Sequence, residues 1–186
     1  SLGVGLPLLA LVMVASTLAQ TQRPANTVAS IEYMVEMRDG VKLATDIYLP
    51  EGDGPWPVVL ARTPYNKGGS ARGARRYVDN GYVYAVQDQR GRFRSEGDYI
   101  PHEHELHDGY DTVEWLGVQP WSNGRVGMTG GSALGIAGNL AAAADPPHLR
   151  AAYFSVAPRS LFYEGRFVGG LFKEEDTGGW MRGQGV

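Results

Sequence analysis

Apolar and polar positions alternate along residues 31–37 and again along 41–48, the period of a half-buried β-strand. Arg38-Asp39-Gly40 separates the two runs, and Asp-Gly in that setting predicts a β-hairpin. A polar segment rich in Pro and Gly covers 50–57. The pattern then changes. Residues 57–62 form a short, nearly continuous apolar run that predicts a buried strand, ending at Thr63-Pro64-Tyr65-Asn66-Lys67. Residues 70–79 read as a helix, capped by Ser70 and stopped by Asn80-Gly81. Residues 82–88 predict another strand, and 90–97 a charged loop. Leu106, Tyr110, Val113 and Leu116 recur at helical spacing, which predicts a helix over 105–117. A turn at 120–124, a strand at 126–129, an alanine-rich helix at 133–144 and a strand at 151–155 complete the series. Beyond 155 the chain becomes glycine-rich and irregular. An antiparallel start giving way to strands that alternate with helices predicts an α/β fold with parallel strands and crossover helices. No repeat, low-complexity tract or interdomain linker interrupts it.

The N-terminus has a different texture. Residues 2–18 are apolar and uncharged, and Thr17-Leu18-Ala19 leads into polar Gln20-Thr21-Gln22. That is the pattern of a signal peptide's apolar core and small-residue cleavage site. Its basic start is absent, and the first residue is Ser. Residues 1–19 are therefore expected to be a partial leader and the protein to be exported, periplasmic or extracellular. A retained membrane anchor is the alternative, since such a run approaches the length needed to span a bilayer. With the leader cleaved, no membrane association is expected.

Composition narrows the chemistry. A 186-residue chain can build one domain with a substantial core. A formal net charge of −3 offers no footprint for nucleic acid, and Arg72, Arg75 and Arg76 read as a solvated helix face. Zero cysteines exclude disulfides, zinc-thiolate sites and a cysteine nucleophile. No cofactor and no metal is expected.

Residues 126–135, Val-Gly-Met-Thr-Gly-Gly-Ser-Ala-Leu-Gly, carry the main chemical signal. A short strand runs into a glycine-flanked serine and then a helix. A serine hydroxyl becomes a useful nucleophile when a fold holds it exposed beside a base and an oxyanion hole. The strand-to-helix turn called the nucleophile elbow does this in α/β-hydrolases. Gly130 and Gly131 are expected to allow unusual dihedrals and close packing before Ser132, and Gly135 to let the helix lie close to the strand. The spacing differs from Gly-x-Ser-x-Gly, because Leu134 occupies the fifth position and the glycine falls at Gly135. A packing turn and a phosphate cradle compete with the catalytic reading. The cradle is disfavoured because neither Gly-Lys-Ser/Thr nor Gly-x-Gly-x-x-Gly is present.

Several further segments occur with the elbow: Met37-Arg38-Asp39-Gly40-Val41-Lys42-Leu43-Ala44-Thr45-Asp46, Arg62-Thr63-Pro64-Tyr65, Asp88-Gln89-Arg90-Gly91-Arg92, Ser95-Glu96-Gly97, Asp108–Trp115 and Gln119–Gly124. In this order, over about residues 31–165, they resemble the CocE/NonD serine hydrolases, a family that includes X-prolyl dipeptidyl-peptidases, cocaine esterase and α-amino-acid ester hydrolases. The resemblance implies an incomplete α/β-hydrolase fold. Residues 27–186 would be the N-terminal part of the catalytic domain, with a helical cap beginning at about residue 160. It also accounts for the glycine three residues after the serine.

The resemblance implies acyl transfer on an ester, amide or peptide substrate. Ser132 would be the nucleophile, the Ala133 N–H one oxyanion donor and the Tyr65 hydroxyl the other. The family usually has Tyr where this chain has Ala133. The backbone N–H is retained, so the departure bears on substrate packing more than on chemistry. The fold's order is Ser, then acid, then His. His102, His104 and His107 precede Ser132 and read as parts of a solvated acidic loop. His148, Asp145 and Asp176 follow too early or sit in poor positions. The acid and base are therefore expected beyond Val186, and the 186-residue chain alone is expected to be inactive. Asp88, Arg90 and Arg94 are expected to pair structurally, Trp115 and Trp121 to pack, and Asp108 and Asp111 to lie on an exposed helix face. A non-catalytic, hydrolase-like binding module is the alternative function.

Overall fold

The computed structural model describes residues 28–185. The leader assigned to 1–19 lies outside them. A six-stranded sheet forms the centre, in the order β1-β2-β4-β3-β5-β6. The strands are β1 Ile31–Glu36, β2 Lys42–Tyr48, β3 Trp56–Thr63, β4 Val83–Asp88, β5 Ser122–Gly131 and β6 Leu149–Ser155. The hairpin pairs Ile31 with Ile47 and Glu36 with Lys42, and Gly40 supplies the turn's positive φ of 86°. β2 meets β4 antiparallel, whereas β4, β3, β5 and β6 run parallel to one another. The chain thus has the mostly parallel sheet of an α/β-hydrolase.

The strand cores explain why this sheet holds. Leu43, Ile47, Val58, Leu60, Val83 and Val126 are essentially fully buried. Burying one such side chain contributes about 1.5–3 kcal/mol. Helices α2, Glu105–Gly117, and α3, Ala133–Ala143, pack on the sheet and on each other. Gly109 of α2 makes their contact close: a Cβ there would overlap the Cβ of Ala141 and lie 3.0 Å from its Cα. Trp115 and Trp121 pack against the same core, as expected.

Three boundaries differ from the sequence reading. The helix expected at 70–79 is a 3₁₀ turn over Lys67–Gly73 followed by α1, Ala74–Val78. Its cap is Asn66, whose side chain accepts from the Gly68 N–H at 2.9 Å, rather than Ser70. Strand β5 starts at Ser122, inside the expected turn, because parallel pairing with β3 extends back to Trp56. The irregular tail folds into short helical turns, a two-residue hairpin of β7, Phe167–Val168, and β8, Leu171–Phe172, and a final turn α4, Gly179–Gly183.

Helix α2 also inverts an expectation. Asp108 was expected on an exposed face, yet it is 1% exposed, and Glu105 is buried with it. Arg90 Nη2 reaches Asp108 at 2.6 Å and Arg90 Nη1 reaches Asp39 at 2.7 Å. Arg62, fully buried on β3, pairs with Glu105 and donates to Gln87 at 2.7 Å. Buried charges are tolerated only when paired and hydrogen-bonded, and these interlock β3, β4 and α2. Asp111 is also largely covered and takes a bidentate contact from Arg38. Arg90 and Arg94 do pair structurally: their guanidiniums meet Asp39, Asp108 and Glu32, while Asp88 accepts the Arg94 backbone N–H at 3.4 Å.

Candidate active site

In a parallel α/β sheet the loops leaving the carboxyl ends of the strands meet along one edge, where ligands bind. Here that edge collects Tyr65 after β3, the 89–104 loop after β4, Ser132 after β5 and Val156 after β6. A cleft of about 510 Å³ opens there. Ser132 and Ala133 line it together with apolar Ile136, Val156 and Leu161 and with Trp180 and His102.

Ser132 sits between β5 and α3 with φ 54° and ψ −124°, a conformation that L-residues rarely adopt. The expected strain therefore falls on the serine itself; neither Gly130 nor Gly131 has a positive φ. Gly130 and Gly135 are needed for space. A Cβ at Gly130 would lie 2.6 Å from the Leu134 carbonyl carbon, and one at Gly135 would lie 2.8 Å from Ala157 Cβ and 3.0 Å from the Gly130 carbonyl oxygen. Gly138 lets Phe154 of β6 pack against α3, since a Cβ would overlap its ring. The elbow is pinned from β6 by the Ser132 N–H, which donates to the Ser155 carbonyl at 2.9 Å. Ser132 precedes the first turn of α3 without its side chain capping the helix, and the residue is exposed. The hydroxyl is thus presented to the cleft. Ala133 is the first residue of α3, so its N–H has no intrahelical acceptor.

Tyr65 reaches the same edge from β3. Its N–H donates to Thr63 Oγ1 at 3.0 Å, and Arg92 Nε donates to the preceding Pro64 carbonyl at 3.0 Å. The Trp180 indole N–H donates to the Tyr65 hydroxyl oxygen at 2.8 Å. With its oxygen accepting, the tyrosine O–H proton remains available to a substrate oxygen.

The histidines divide sharply. His148 stands at the start of β6, at the opposite end of the sheet from Ser132, where Nδ1 meets Glu114 at 2.8 Å. His107 contacts Arg38, and His104 precedes α2. His102 departs from the solvated-loop reading. It lines the Ser132 cleft with its ring stacked on Trp180, centroids 5.6 Å apart and planes 7° from parallel. Its Nδ1 is buried with no hydrogen-bond partner among the described residues. Burial, aided by the positive Arg166, pulls its pKa down to about 4, so the imidazole is neutral. Sequence reasoning missed both His102 and Trp180, because their association joins segments 78 positions apart in the chain. No group of three His, Asp or Glu side chains suited to a metal ion occurs among the described residues. No helix among them is long and apolar enough to cross a membrane.

The chain is similar in sequence to known proteins. The cocaine esterase of Rhodococcus sp. (strain MB1 Bresler) is 40% identical over 154 residues, covering 79% of this chain and 27% of the esterase. Among solved structures, a selenomethionine-labelled α-amino acid ester hydrolase superposes with a TM-score of 0.61 at 34% identity, covering 75% of this chain and 28% of that one. A CocE/NonD family hydrolase from Staphylococcus aureus gives 0.58 at 32% identity, covering 68% and 26% respectively. The chain thus spans about a quarter of the length of these relatives. The family model of X-Pro dipeptidyl-peptidases matches residues 39–185, and the chain belongs to this S15 family.

Proposed function

We propose that this chain is the N-terminal part of the catalytic domain of an exported serine hydrolase, which cleaves an ester or amide by acyl transfer. The observation that carries the reading is Ser132: a non-glycine residue at φ 54°, between a parallel strand and a helix, with its hydroxyl free in a cleft. Such strain persists where the surrounding structure enforces it, and it clusters at active sites. Ser132 Oγ attacks the substrate carbonyl carbon, and its proton passes to a general base. The carbonyl oxygen becomes an oxyanion, which the Ala133 N–H and the Tyr65 hydroxyl stabilise. Collapse expels the alcohol or amine, which takes up the proton, and leaves an acyl-Ser132. Water, deprotonated by the same base, releases the acid. The reading places the base and its acid partner C-terminal to residue 186. His148 lies at the wrong end of the sheet, and His102 precedes the serine in the chain.

The test uses the full reading frame. Ser132→Ala should abolish hydrolysis of p-nitrophenyl esters and of X-Pro p-nitroanilides, whichever the enzyme prefers. Tyr65→Phe should lower kcat by roughly 100- to 1000-fold, as expected for one oxyanion donor. Unchanged turnover in Ser132→Ala overturns the reading. Ligand binding with no Ser132-dependent turnover would instead support the hydrolase-like binding module. The apolar run at residues 2–18 supports export, and the mass of the mature N-terminus checks whether it is removed.

A further inference from the structure

Lys67 lies two residues beyond Tyr65, at the start of the 3₁₀ turn Lys67–Gly73, yet it is only 5% exposed. Its Nζ is 2.6 Å from Asp46 Oδ1 on β2 and 2.6 Å from Glu32 Oε2 on β1. Its backbone N–H donates to Asp88 Oδ1 at the end of β4, at 2.7 Å. Three strands therefore hold one residue of the loop that presents Tyr65. Burial by itself would favour a neutral amine, but the hydrogen bonds that the ammonium donates to Asp46 and Glu32 outweigh it and raise the Lys67 pKa above that of an ordinary lysine, so the ammonium persists. Between Tyr65 and Lys67 sits Asn66, at φ 82°. A non-glycine residue in that region stays there only if its neighbours enforce it. Lys67 on one side and the Thr63 hydroxyl on the other supply that restraint.

Resting on the assignment of Tyr65 to the oxyanion hole, we propose that Lys67 is a positioning residue that couples the β1–β2 hairpin to the active site and fixes the Tyr65 hydroxyl where the oxyanion develops. The Lys67 ammonium touches no substrate. It acts by denying the 64–68 loop alternative conformations. A preorganised donor stabilises charge without reorganising at the moment of reaction, and displacement by about 1 Å can cost on the order of 100-fold in rate.

The test is a double-mutant cycle in the full-length enzyme. Lys67→Met should lower kcat by about tenfold or more with KM changed less than twofold, whereas Lys67→Arg should recover most of the loss. In the Tyr65→Phe background, Lys67→Met should have little further effect on kcat, because the donor it positions is already gone. Lys67→Met leaves Asp46 buried without a cation, which endangers folding, while Glu32 keeps Arg94 at 2.7 Å. The pair Lys67→Met/Asp46→Asn removes that charge. It should regain thermal stability and still show the lowered kcat. Wild-type kcat in this pair, or multiplicative effects of Tyr65→Phe and Lys67→Met, would overturn the positioning role. Tyr65→Phe with wild-type kcat would overturn it as well while leaving Ser132 chemistry intact. Full activity in Ser132→Ala would sink both this inference and the proposed function.

Discussion

Ser132 occupies a backbone conformation that an L-residue reaches against a steric penalty, and glycine would relieve it. The strain amounts to about 1–3 kcal/mol, against about 0.4–1 kcal/mol for the extra freedom glycine gives the unfolded chain. Relief wins, so Ser132→Gly should be about 1 kcal/mol more stable than Ser132→Ala in urea denaturation, with both inactive. Equal midpoints would show that the elbow carries no strain. His102 makes a second residue-scale prediction. Its pKa falls from 6.5 to about 4 in the folded protein. The native state therefore resists a proton that the unfolded chain accepts. The stability so linked is complete above about pH 6.5 and is lost progressively as pH falls towards 4. His102→Gln should flatten unfolding free energy against pH across that window. A wild-type slope in His102→Gln would place the titrating group elsewhere.

Among the elements, α2 and α3 approach through Gly109 and Ala141. Alanine is the better helix former by up to about 1 kcal/mol, but forcing a methyl into this contact costs about 1–3 kcal/mol. Overpacking wins because both sides are backbone-near atoms that cannot rotate away. Gly109→Ala should lower stability by about 1–2 kcal/mol in thermal or urea unfolding. Gly73→Ala, where a Cβ meets no atom within 4 Å, should be neutral or slightly stabilising. If both substitutions behave alike, helix propensity rather than the crossing sets the effect. The buried Arg62–Glu105 pair works at the same scale, since it ties the start of α2, and so the loop carrying His102, to the strand that delivers Tyr65.

At the scale of the whole molecule, the site lies along one edge of the sheet, and the relatives are about three times as long as this chain. Strand β6 is one of the sheet's two edge strands among the described residues; Tyr153 on it is 74% exposed, and Val156 just beyond it 87%. His148 sits at the far end of the sheet, so an ordered triad cannot be assembled around it. Produced alone, the 186-residue chain should show no Ser132-dependent turnover of p-nitrophenyl acetate. Turnover abolished by both Ser132→Ala and His102→Gln would identify His102, which shares the cleft, as the base.

The alternation of residues 31–48, the turn at Asp39-Gly40 and the strand-Gly-Gly-Ser-helix run are local patterns. Backbone sterics and side-chain period fix such features over a few residues, so the hairpin, α2, the elbow and the fold class were legible in the chain itself. The joint order of the remaining segments identified the family. Which glycine served which purpose was not legible: the positive φ fell on Ser132, while Gly130 and Gly135 made room for each other's backbone. Asp108 looked like a solvated charge, and no local pattern marked Glu105 or Lys67 as buried, because burial of an ion depends on a partner brought from elsewhere in the chain. Arg62, Arg90, Asp46 and Glu32 are such partners, and only the folded sheet sets them within reach. His102 and Trp180 likewise became one surface of the cleft through a contact between loops, and periodicity along the chain carries no information about contacts at that separation.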